Sequence, residues 1–546
     1  MGRDDEVGWG SNAWAVNGAV SADGSTLVAG DGHLPLTVPS LFYSVGLDTR
    51  ELGGGDLRQV GLTIPGLPFM AVGTNGNVAW SQTQLGGDIT DWYREELRLD
   101  AAGAPTASFF GGVWQDLVAQ EESVEVADVP LLGSVGRTET WTRYTTFDGR
   151  FIVEIEGTTV GEDHEPADDE TVVVLSGDHI VPGDIDGDGV VSAVSFDYAG
   201  FEAGHLLQAL DGMGTAEDIE AYRQATRHLV AYSQSLAAGD KHGSILYTGF
   251  QALPCRTYLA RDESGAFAEG ADPTLLIDGT TYGGFEIPVD AEGFPIEGEA
   301  DPYRCVIPFE EYPQSMDPAS GFVQTANNDP VGTSFDDNLF NDPWYIGGPW
   351  EGGFRASRIS SELSRMVAAG TADEQAMADL QADVKSLHGC LFGPHLIESI
   401  DAGREAFEAS PAPGTADHRL GQLYADDRER LDEARSRLQA WVDSDCPALS
   451  GVETFYNPSV DGTEVAHSVA TTIFNAWEGR FMSRVFDDEG LPGVWRGGGR
   501  TGRTRAGGTG RTAAWAACGS PSPRRCSTAS SGSFHTWACT AAGWVA

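Results

Sequence analysis

The chain has 546 residues, of which 33 are lysine or arginine and 82 are aspartate or glutamate, so its formal net charge at pH 7 is −49. An acidic field of this size repels phosphate backbones and anionic lipid headgroups, which argues against nucleic-acid binding. The longest apolar runs, such as residues 171–175, are far too short to cross a bilayer, so no membrane span is predicted.

The elements predicted along the chain are strands first and helices later. Residues 151–155 and 194–198 alternate with a period of two, which predicts strands, and the run 172–175 predicts a strand buried on both faces. Thr215 is predicted to cap a helix with one apolar face, formed by Ile219, Tyr222, Ala225 and Leu229. Thr371 and Glu374 predict a capping box before Met377, Leu380, Val384 and Leu387. Residues 416–444 are predicted to be helical and highly charged.

The peptide bond between Gly10 and Ser11 is the first feature that carries chemistry. If this bond is cut, Ser11 holds both a hydroxyl nucleophile and a free α-amino group. A serine hydroxyl needs an adjacent base, and an α-amino group titrates at about 7.7–8.0, close to neutral pH. By itself the tripeptide Gly10-Ser11-Asn12 is more typical of a turn with solvent-facing side chains, because these are ordinary turn residues.

Further segments follow in a fixed order. They are Asp31-Gly32-His33-Leu34, residues 73–81, residues 87–93, Thr325-Ala326-Asn327-Asn328-Asp329-Pro330 and residues 353–359. Together with Ser11 they resemble the penicillin acylase (penicillin amidase) family of N-terminal-nucleophile hydrolases, and specifically the large β chain that autoproteolysis exposes. The resemblance runs from about Gly10 to about Leu491.

The resemblance implies an α+β fold with four layers, αββα, which agrees with strands sandwiched by helices. It implies a hydrolase of carbon–nitrogen bonds in linear amides, which cleaves N-acyl amides through Ser11 and an acyl-enzyme. A separate α chain is expected as a partner, from the same precursor or encoded separately. Family members are exported precursors, so the full-length protein is expected in the periplasm or secreted, although this chain shows no signal peptide.

Four supporting residues follow from the family pattern. The oxyanion donors are expected to be the side-chain amide of Asn327 and the backbone N–H of Gln84, since fixed donors stabilise the tetrahedral intermediate. His33 is expected near the nucleophile's amino group, and Arg355 beside the active site. Three of them have a structural alternative: a turn for Asn327, a satisfied structural histidine for His33 and an ion pair at a helix start for Arg355.

The family pattern also implies one structural calcium ion per heterodimer and no organic cofactor. The expected ligands are Asp88, the Thr90 carbonyl and Asp91, with Asp336 or Asp337 as a later contributor, because calcium prefers carboxylate and carbonyl oxygens. Asp184, Asp186, Asp188 and Gly189 imitate the start of an EF-hand loop, but position 12 is Ser195, so this segment is interpreted as an acidic loop of weak calcium affinity.

The expected acyl pocket is lined by Leu34, Val72 and Gln82, two aliphatic residues and an amide. This set argues against a pocket dedicated to phenylacetyl groups. An aliphatic acyl chain from an acyl-homoserine lactone or a lipopeptide fits as well as a β-lactam antibiotic. The competing hypothesis is an inactive, truncated acylase relic that acts at most as an acidic calcium- or ligand-binding protein.

The domain prediction divides the chain into three parts. Residues 1–10 are a residual spacer, residues 11–493 the acylase-like β chain, and residues 494–546 an aberrant basic tail of low complexity. The tail carries no acidic residue but seven arginines, Arg496, Arg500, Arg503, Arg505, Arg511, Arg524 and Arg525. In so acidic a chain this composition favours a frameshift, with a disordered tail and an appended module as alternatives.

Four of the seven cysteines lie in the body of the chain. In an exported protein they are expected to form two disulfides, with Cys255–Cys305 and Cys390–Cys446 as the pairings to test. The sequence alone allows three connectivities, and four buried free thiols are an equally good interpretation.

Overall fold

The computed structural model of the protein describes residues 10–35, 37–130, 133, 135–167, 170–333, 342–454 and 457–486. Their strands, in chain order, are β1 (Gly10–Val16), β2 (Leu27–His33), β3 (Tyr43–Asp48), β4 (Arg58–Thr63), β5 (Val72–Thr74), β6 (Val78–Gln84), β7 (Thr90–Leu99), β8 (Pro105–Phe110), β9 (Val113–Asp116), β10 (Val118–Val126), β11 (Arg137–Thr145), β12 (Phe151–Ile155), β13 (Gly157–Val160), β14 (Val173–Leu175), β15 (Asp178–Pro182), β16 (Val191–Tyr198), β17 (Gln234–Asp240), β18 (Ile245–Thr248), β19 (Leu276–Asp278), β20 (Gln314–Met316) and β21 (Phe322–Thr325). The α-helices are α1 (Thr49–Gly53), α2 (Leu206–Thr215), α3 (Ile219–Ala225), α4 (Phe354–Ala369), α5 (Glu374–Gln381), α6 (Leu387–Ala409), α7 (Ala416–Asp426), α8 (Arg428–Asp443) and α9 (Gly462–Phe486).

Two sheets pack face to face in the part of the molecule that carries Ser11. The smaller has the order β2-β1-β21, and the larger has the order β20-β18-β17-β6-β5-β4-β3. Small and β-branched side chains fill the space between them, among them Ala13, Ala15, Ala237, Ile245 and Val323. The hydroxyls of Thr83 in β6 and Thr325 in β21 meet at 2.8 Å across this interface.

Helices cover the outer face of each sheet. Trp14 and Val16 of β1 pack against α4 and α5 through a buried cluster that includes Leu363 and Met377. On the other side, Trp80 of β6 packs against α2 and α3, where Tyr222 is fully buried. The order helix, sheet, sheet, helix confirms the predicted four-layer αββα arrangement and the α+β class.

Two further regions extend from the four layers. An eight-stranded sheet has the order β10-β11-β12-β16-β7-β8-β9, and β19 pairs with β7 in parallel. Helices α6, α8 and α9 share a buried cluster centred on Trp441 and Phe474. Among the described residues, no helix is both long enough and apolar enough to span a bilayer.

Both predicted disulfides are present. Cys255 is bonded to Cys305, and Cys390 is bonded to Cys446. The alternative of four free thiols is therefore wrong. The second bond ties the start of α6 to the segment after α8. The first joins two loop segments that share a buried cluster with Leu85 and Phe250.

The predicted strands are confirmed more closely than the helix boundaries. Residues 151–155 and 194–198 fall in β12 and β16, and residues 173–175 form β14, whose middle residue Val174 is only half-buried. The charged segment 416–444 is helical, but it is broken at Asp427 into α7 and α8.

Both predicted helix caps are wrong because an aspartate lies closer to each helix start. Asp218 caps α3 by accepting from the N–H of Ala221, whereas Thr215 ends α2. Asp373 caps α5 in the same way, and Thr371 donates its hydroxyl back to the Met366 carbonyl. A carboxylate at the N-cap also interacts favourably with the helix dipole, which favours aspartate over threonine.

Candidate active site

Ser11 is the second residue of β1, the central strand of the smaller sheet. Side chains alternate along a strand, so Ser11 shares a face with Ala13 and Ala15 and points toward the larger sheet. Ser11 is buried, with 9% of its surface exposed. The hydroxyl Oγ donates to the Gly10 carbonyl at 2.6 Å, so nucleophile and proposed cleavage site are already in contact.

Asn327, which directly follows β21 and Ala326, holds the backbone of Ser11. The N–H of Ser11 donates to Oδ1 of Asn327 at 2.7 Å, although 316 positions separate the two residues. Nη2 of Arg355 donates to the same oxygen at 3.0 Å. Because two N–H donors converge on Oδ1, the amide nitrogen must point away, and Nδ2 donates to the Gln84 carbonyl at 2.9 Å. Asn327 and Gln84, predicted far apart in the chain, are therefore neighbours.

The backbone of Asn327 is unusual as well. Its φ is 62°, in the left-handed region, which asparagine tolerates better than most residues other than glycine. The side chain thereby turns back toward β1 and β6 instead of continuing the alternation of β21. The two hydrogen bonds to Oδ1 hold this side chain against Ser11 and Arg355, and the catalytic role of Asn327 stays a prediction.

Arg355 is the second residue of α4 and reaches across to β1. Nη1 donates to the Ser11 carbonyl and to Oδ1 of Asn12, both at 2.7 Å. All of its hydrogen-bond partners here are neutral oxygens, and burial lowers its pKa, against the opposing effect of Glu351 and Asp31. The ion pair expected as the structural alternative for Arg355 is not among the salt bridges of the described residues.

His33 lies at the end of β2, directly opposite Gly10. Its Nε2 lies 2.8 Å from Oδ2 of Asp31 and 3.2 Å from Nδ2 of Asn12. Asn12 therefore connects Arg355 to His33, a role that the sequence analysis did not assign. This role could have been inferred from the position of Asn12. It directly follows Ser11 in β1, so its side chain lies on the face of the strand opposite that of Ser11.

On the interior face, the strand partner of Ser11 is Gly32, which carries no side chain. A methyl group on Gly32 would lie 3.4 Å from Cε2 of Phe42 and 3.6 Å from Cγ of Leu34. Leu34 and Phe42 therefore border the space on the side to which Ser11 points. Leu34 was predicted, whereas Phe42 was missed, because it lies in an irregular segment before β3 that has no periodic pattern.

Val72 and Gln82 lie on opposite faces of the larger sheet. Pairing of β5 with β6 places Val72 on the face of Ser81, which packs under Gly30 of β2. Gln82 alternates to the face of Trp80, toward α2 and α3, and accepts a hydrogen bond from Tyr232 at 2.7 Å. The structure thus groups Leu34 and Val72 on the interior side, but it does not bring Gln82 there.

The acidic pair predicted to bind calcium lies around a buried arginine. Asp91, the second residue of β7, is fully buried. Its two carboxylate oxygens each lie 3.1 Å from Nε of Arg256, and Nη2 of Arg256 donates to Oδ1 at 2.8 Å. The hydroxyl of Tyr258 donates to Oδ2 at 3.2 Å. A guanidinium therefore already holds this carboxylate.

Asp88 shares the same arginine. Nη2 of Arg256 donates to the Asp88 carbonyl at 2.9 Å and lies 3.4 Å from Oδ2, which also accepts from the Tyr345 hydroxyl at 2.9 Å. Burial raises the pKa of Asp88, although Arg256 opposes this shift. Calcium takes about six to eight oxygen ligands, and carboxylates bound to a cationic side chain do not fit it as they stand. The site, with Thr90 at the start of β7, stays a prediction.

The remaining acidic residues give no firmer metal site. Asp336 and Asp337 lie outside the described residues. Asp184, Asp186 and Asp188 bring carboxylate oxygens within 4.8 Å of one another, but all three are exposed. Loop N–H groups bind Asp184, including those of Gly187 and Gly189 at 2.6 Å each, as in an ordinary acidic turn.

Comparison with known proteins places the chain in a family. The chain matches the family model described as penicillin amidase over residues 2–529. It is 23% identical over 432 residues to the acyl-homoserine lactone acylase QuiP of Pseudomonas fluorescens (strain Pf0-1), covering 79% of this chain and 41% of that protein. It is 26% identical over 395 residues to the penicillin acylase 2 proenzyme of Pseudomonas sp. (strain SE83), covering 71% and 39%.

Among solved structures, a thermostable penicillin G acylase from Alcaligenes faecalis aligns with a TM-score of 0.46 and 19% identity, covering 76% of this chain and 58% of that chain. The chain spans about two fifths of the length of the curated relatives it matches. The family match nevertheless covers most of its residues, and with them Ser11, Asn327 and Arg355. The chain belongs to the penicillin amidase family.

Proposed function

We propose that this chain is the nucleophile-bearing part of an amidohydrolase that cleaves linear N-acyl amides after the bond between Gly10 and Ser11 is cut. The observation that carries the proposal is the contact of the Ser11 nitrogen with Oδ1 of Asn327 at 2.7 Å. Cleavage turns this amide nitrogen into an α-amine in place. Asn327 would then hold the new α-amino group beside the Ser11 hydroxyl, and β1 would not need to move.

The reaction follows from these positions. Oγ of Ser11 attacks the amide carbonyl carbon, and its proton passes through a water to the α-amino group. The carbon–nitrogen bond breaks as that proton is delivered to the leaving amine. Water then hydrolyses the ester, so that one amide and one water become one carboxylic acid and one amine, and Ser11 is regenerated.

Two donors are proposed to stabilise the oxyanion. The amide nitrogen of Asn327 carries two hydrogens, of which one is bonded to the Gln84 carbonyl and the other is available for substrate. The backbone N–H of Gln84 is the proposed second donor, since this residue ends β6 next to Asn327. Donors of this kind each contribute about 3 kcal/mol to the transition state.

Arg355 and His33 are proposed as positioning residues. Arg355 binds the Ser11 carbonyl and Oδ1 of Asn327 together, which fixes the distance between nucleophile and oxyanion donor. His33 is held by Asp31 and Asn12 opposite Gly10, the residue whose bond to Ser11 is cut. Neither side chain needs to exchange a proton with substrate in this scheme.

The proposed substrates carry an aliphatic or broadly defined acyl group. Leu34 and Phe42 lie beside Gly32, and Val72 lies on the interior face of the larger sheet. Such apolar surfaces select chain length only weakly, by about 1–3 kcal/mol per methylene at most. An acyl-homoserine lactone or a lipopeptide acyl chain is favoured over a β-lactam antibiotic, in line with the name of one relative.

The proposed working form is a processed heterodimer in an oxidising compartment. The chain spans about two fifths of its relatives, so an α chain is expected to supply the remaining walls of the active site. Disulfides persist in the periplasm and outside the cell, and the chain has two of them. Both points support a periplasmic or secreted enzyme over a cytosolic one.

Mass spectrometry of the full-length precursor and of a Ser11→Ala variant tests the proposal. The parent protein is expected to yield a chain that begins at Ser11 and to release fatty acid from an N-acyl-homoserine lactone. Ser11→Ala is expected to remain uncut and inactive, whereas Ser25→Ala, an exposed serine in the next loop, is expected to behave like the parent. An intact Gly10–Ser11 bond with no turnover of any N-acyl substrate would instead support an inactive relic.

A further inference from the structure

A cation of the chain itself lies at the position where the family pattern predicts calcium. We infer that the guanidinium of Arg256 is the resident cation of Asp88 and Asp91, so that this part of the molecule keeps its fold without a bound divalent ion. The inference concerns stability and metal content, and it holds whether or not the proposed hydrolase activity is correct.

The first argument is occupancy of the oxygens. Three of the contacts between Arg256 and Asp91 are 3.1 Å or shorter, and Nη2 of Arg256 also donates to the Asp88 carbonyl. Calcium would need these carboxylate and carbonyl oxygens at about 2.3–2.6 Å. A guanidinium and a calcium ion cannot share that space, and their like charges repel each other.

The second argument is the enclosure of the guanidinium. Arg256 has 1% of its surface exposed, and the ring of Tyr345 lies 5.2 Å from its Cζ. Tyr258 and Tyr345 close the two acidic residues from the other side through their hydroxyls. Withdrawing Arg256 to admit an ion would leave a buried charge without its partners, which is strongly unfavourable.

The third argument is that the backbone prepositions the arginine. Arg256 directly follows Cys255, which is bonded to Cys305 and donates its N–H to the Cys305 carbonyl at 2.9 Å. The φ of Arg256 is 53°, a left-handed conformation that a large side chain adopts only where its surroundings impose it. The disulfide and the local turn direct the Arg256 side chain toward β7. The cation is therefore part of the chain and is positioned by its own backbone.

The site also supports the segment that carries Gln84. The hydrogen bond from Arg256 to the Asp88 carbonyl anchors the chain four residues after Gln84, and the Asp88 N–H donates to the Ile346 carbonyl at 2.9 Å. The Arg256 cation therefore helps to fix the end of β6, where Gln84 supplies the proposed second oxyanion donor. Arg256 does not touch the reacting atoms, so its expected effect is on stability.

A second buried arginine lies nearby but has partners of its own. Arg150, the other fully buried arginine among the described residues, is bound to Glu95 and Asp148. Arg256 is therefore the arginine that holds Asp88 and Asp91.

The test measures melting temperature and bound calcium in the full chain. Asp186→Asn is used as the background, so that calcium at the exposed acidic loop does not contribute. In this background the melting temperature is expected to change by less than about 1 °C between EGTA and excess calcium, since a ligand that does not bind gives no stabilisation. Calcium retained after gel filtration in metal-free buffer is expected to be well below one ion per chain.

Arg256→Met is the decisive variant, and Arg150→Met is its matched control. Arg256→Met is expected to melt at least roughly 5 °C lower in EGTA and to recover part of this loss in calcium, because Asp88 and Asp91 become available. Arg150→Met also removes a buried arginine, so it is expected to lose stability without gaining any response to calcium. If Arg256→Met does not fold, Arg256→Lys is examined, which keeps the charge and is expected to be insensitive to EGTA.

Three results would overturn the inference. One is a stoichiometric calcium ion in the Asp186→Asn background that is lost when Asp88→Asn is added. Another is an Arg256→Met variant that melts with the parent and ignores calcium. The third is a calcium requirement in Arg256→Lys, since that would show that a side-chain charge at this position is not what holds the acidic pair.

Discussion

Two arginines hold the two functional regions of this chain, and they do so with opposite kinds of partner. Arg355 binds neutral oxygens, namely the Ser11 carbonyl and the side-chain oxygens of Asn12 and Asn327. Arg256 binds the carboxylate of Asp91 and the carbonyl of Asp88. Burial lowers the pKa of Arg355, whereas burial of Arg256 is more than offset by its carboxylates, which raise its pKa well above the ordinary value.

The difference shows how one residue type serves two purposes. A guanidinium paired with a carboxylate has its charge neutralised locally, so Arg256 stabilises structure and exerts little field beyond its pocket. A guanidinium paired with neutral oxygens keeps its charge available to organise them and to favour developing negative charge nearby. On this basis we expect substitutions at Arg256 to affect mainly stability, and those at Arg355 mainly activity.

Replacing Arg256 or Arg355 by methionine is expected to have the largest effects on stability and on activity. Arg256→Met leaves Asp91 buried without its partner, which is expected to lower the free energy of unfolding by about 3–5 kcal/mol. Arg355→Met leaves only neutral acceptors and is expected to lower it by about half as much or less, while kcat falls sharply. Urea unfolding and acylase assays measure the two effects, and equal losses of stability would contradict the distinction.

Asn327→Gly sharpens the active-site side of the comparison. Removing the side chain is expected to reduce kcat by about 10²–10³-fold, because one oxyanion donor is lost. Glycine adopts the φ of 62° without strain, so the expected loss of stability is that of the hydrogen bonds from Ser11 and Arg355 to Oδ1, about 1–3 kcal/mol. Asn327→Ala serves as the contrast, since it loses the same donor and adds backbone strain of about 1–2 kcal/mol. Unchanged turnover in both variants would exclude Asn327 from the oxyanion site.

Asp197→Asn probes the buried side through pH. The pKa of Asp197 is about 7 in the folded chain and near 3.8 otherwise. Between pH 4 and pH 7 the Asp197 carboxyl group holds a proton in the folded state that it has released in the unfolded state. Asp197 therefore makes the free energy of unfolding fall as the pH rises from about 4 to 7. Asp197→Asn is expected to be more stable than the parent at pH 8, by up to a few kcal/mol, and similar at pH 4. Parallel stability curves over this range would contradict the assignment.

Gly10→Ala tests the cleavage site and has the smallest expected effect. A methyl group on Gly10 would lie 2.9 Å from Nη2 of Arg355 and 3.2 Å from Nδ1 of His33. Both atoms belong to side chains that can shift, so processing is expected to slow only several-fold. A time course on denaturing gels measures this rate, with Gly183→Ala, which meets no atom within 4 Å, as the control. Unaltered processing would show that these contacts do not restrain the cleavage site.

Local patterns predicted elements better than their ends. The alternation in residues 151–155 and 194–198 identified β12 and β16 because one face of each strand is buried and the period of side chains is two. Helix starts were less accurate, since Asp218 and Asp373 compete with nearby threonines for the same backbone N–H groups. The break at Asp427 is a local turn inside a uniformly charged segment, where periodicity carries little information.

The candidate site was predictable in its residues but not in its contacts. Ser11, Asn327, Gln84 and Arg355 were all identified from motifs, and the structure brings them together. Phe42 was missed because an irregular loop gives no periodic pattern. Gln82 was predicted beside Leu34 and Val72 but lies on the other face of the larger sheet, because a motif does not report which face of a strand a residue occupies. A shift of one position along a strand exchanges the two faces.

By itself the sequence predicted the chemistry of the nucleophile, and it determined the order of the family motifs, the two disulfide pairings worth testing and the excess of acidic residues. These depend on residue identity and on neighbours in the chain. Only the tertiary structure decided that Oδ1 of Asn327 receives the Ser11 nitrogen, and that Arg256 lies against an aspartate 165 positions away. Contacts of this kind depend on how two sheets and their connecting loops pack, and packing is a property of the whole chain that no local pattern encodes.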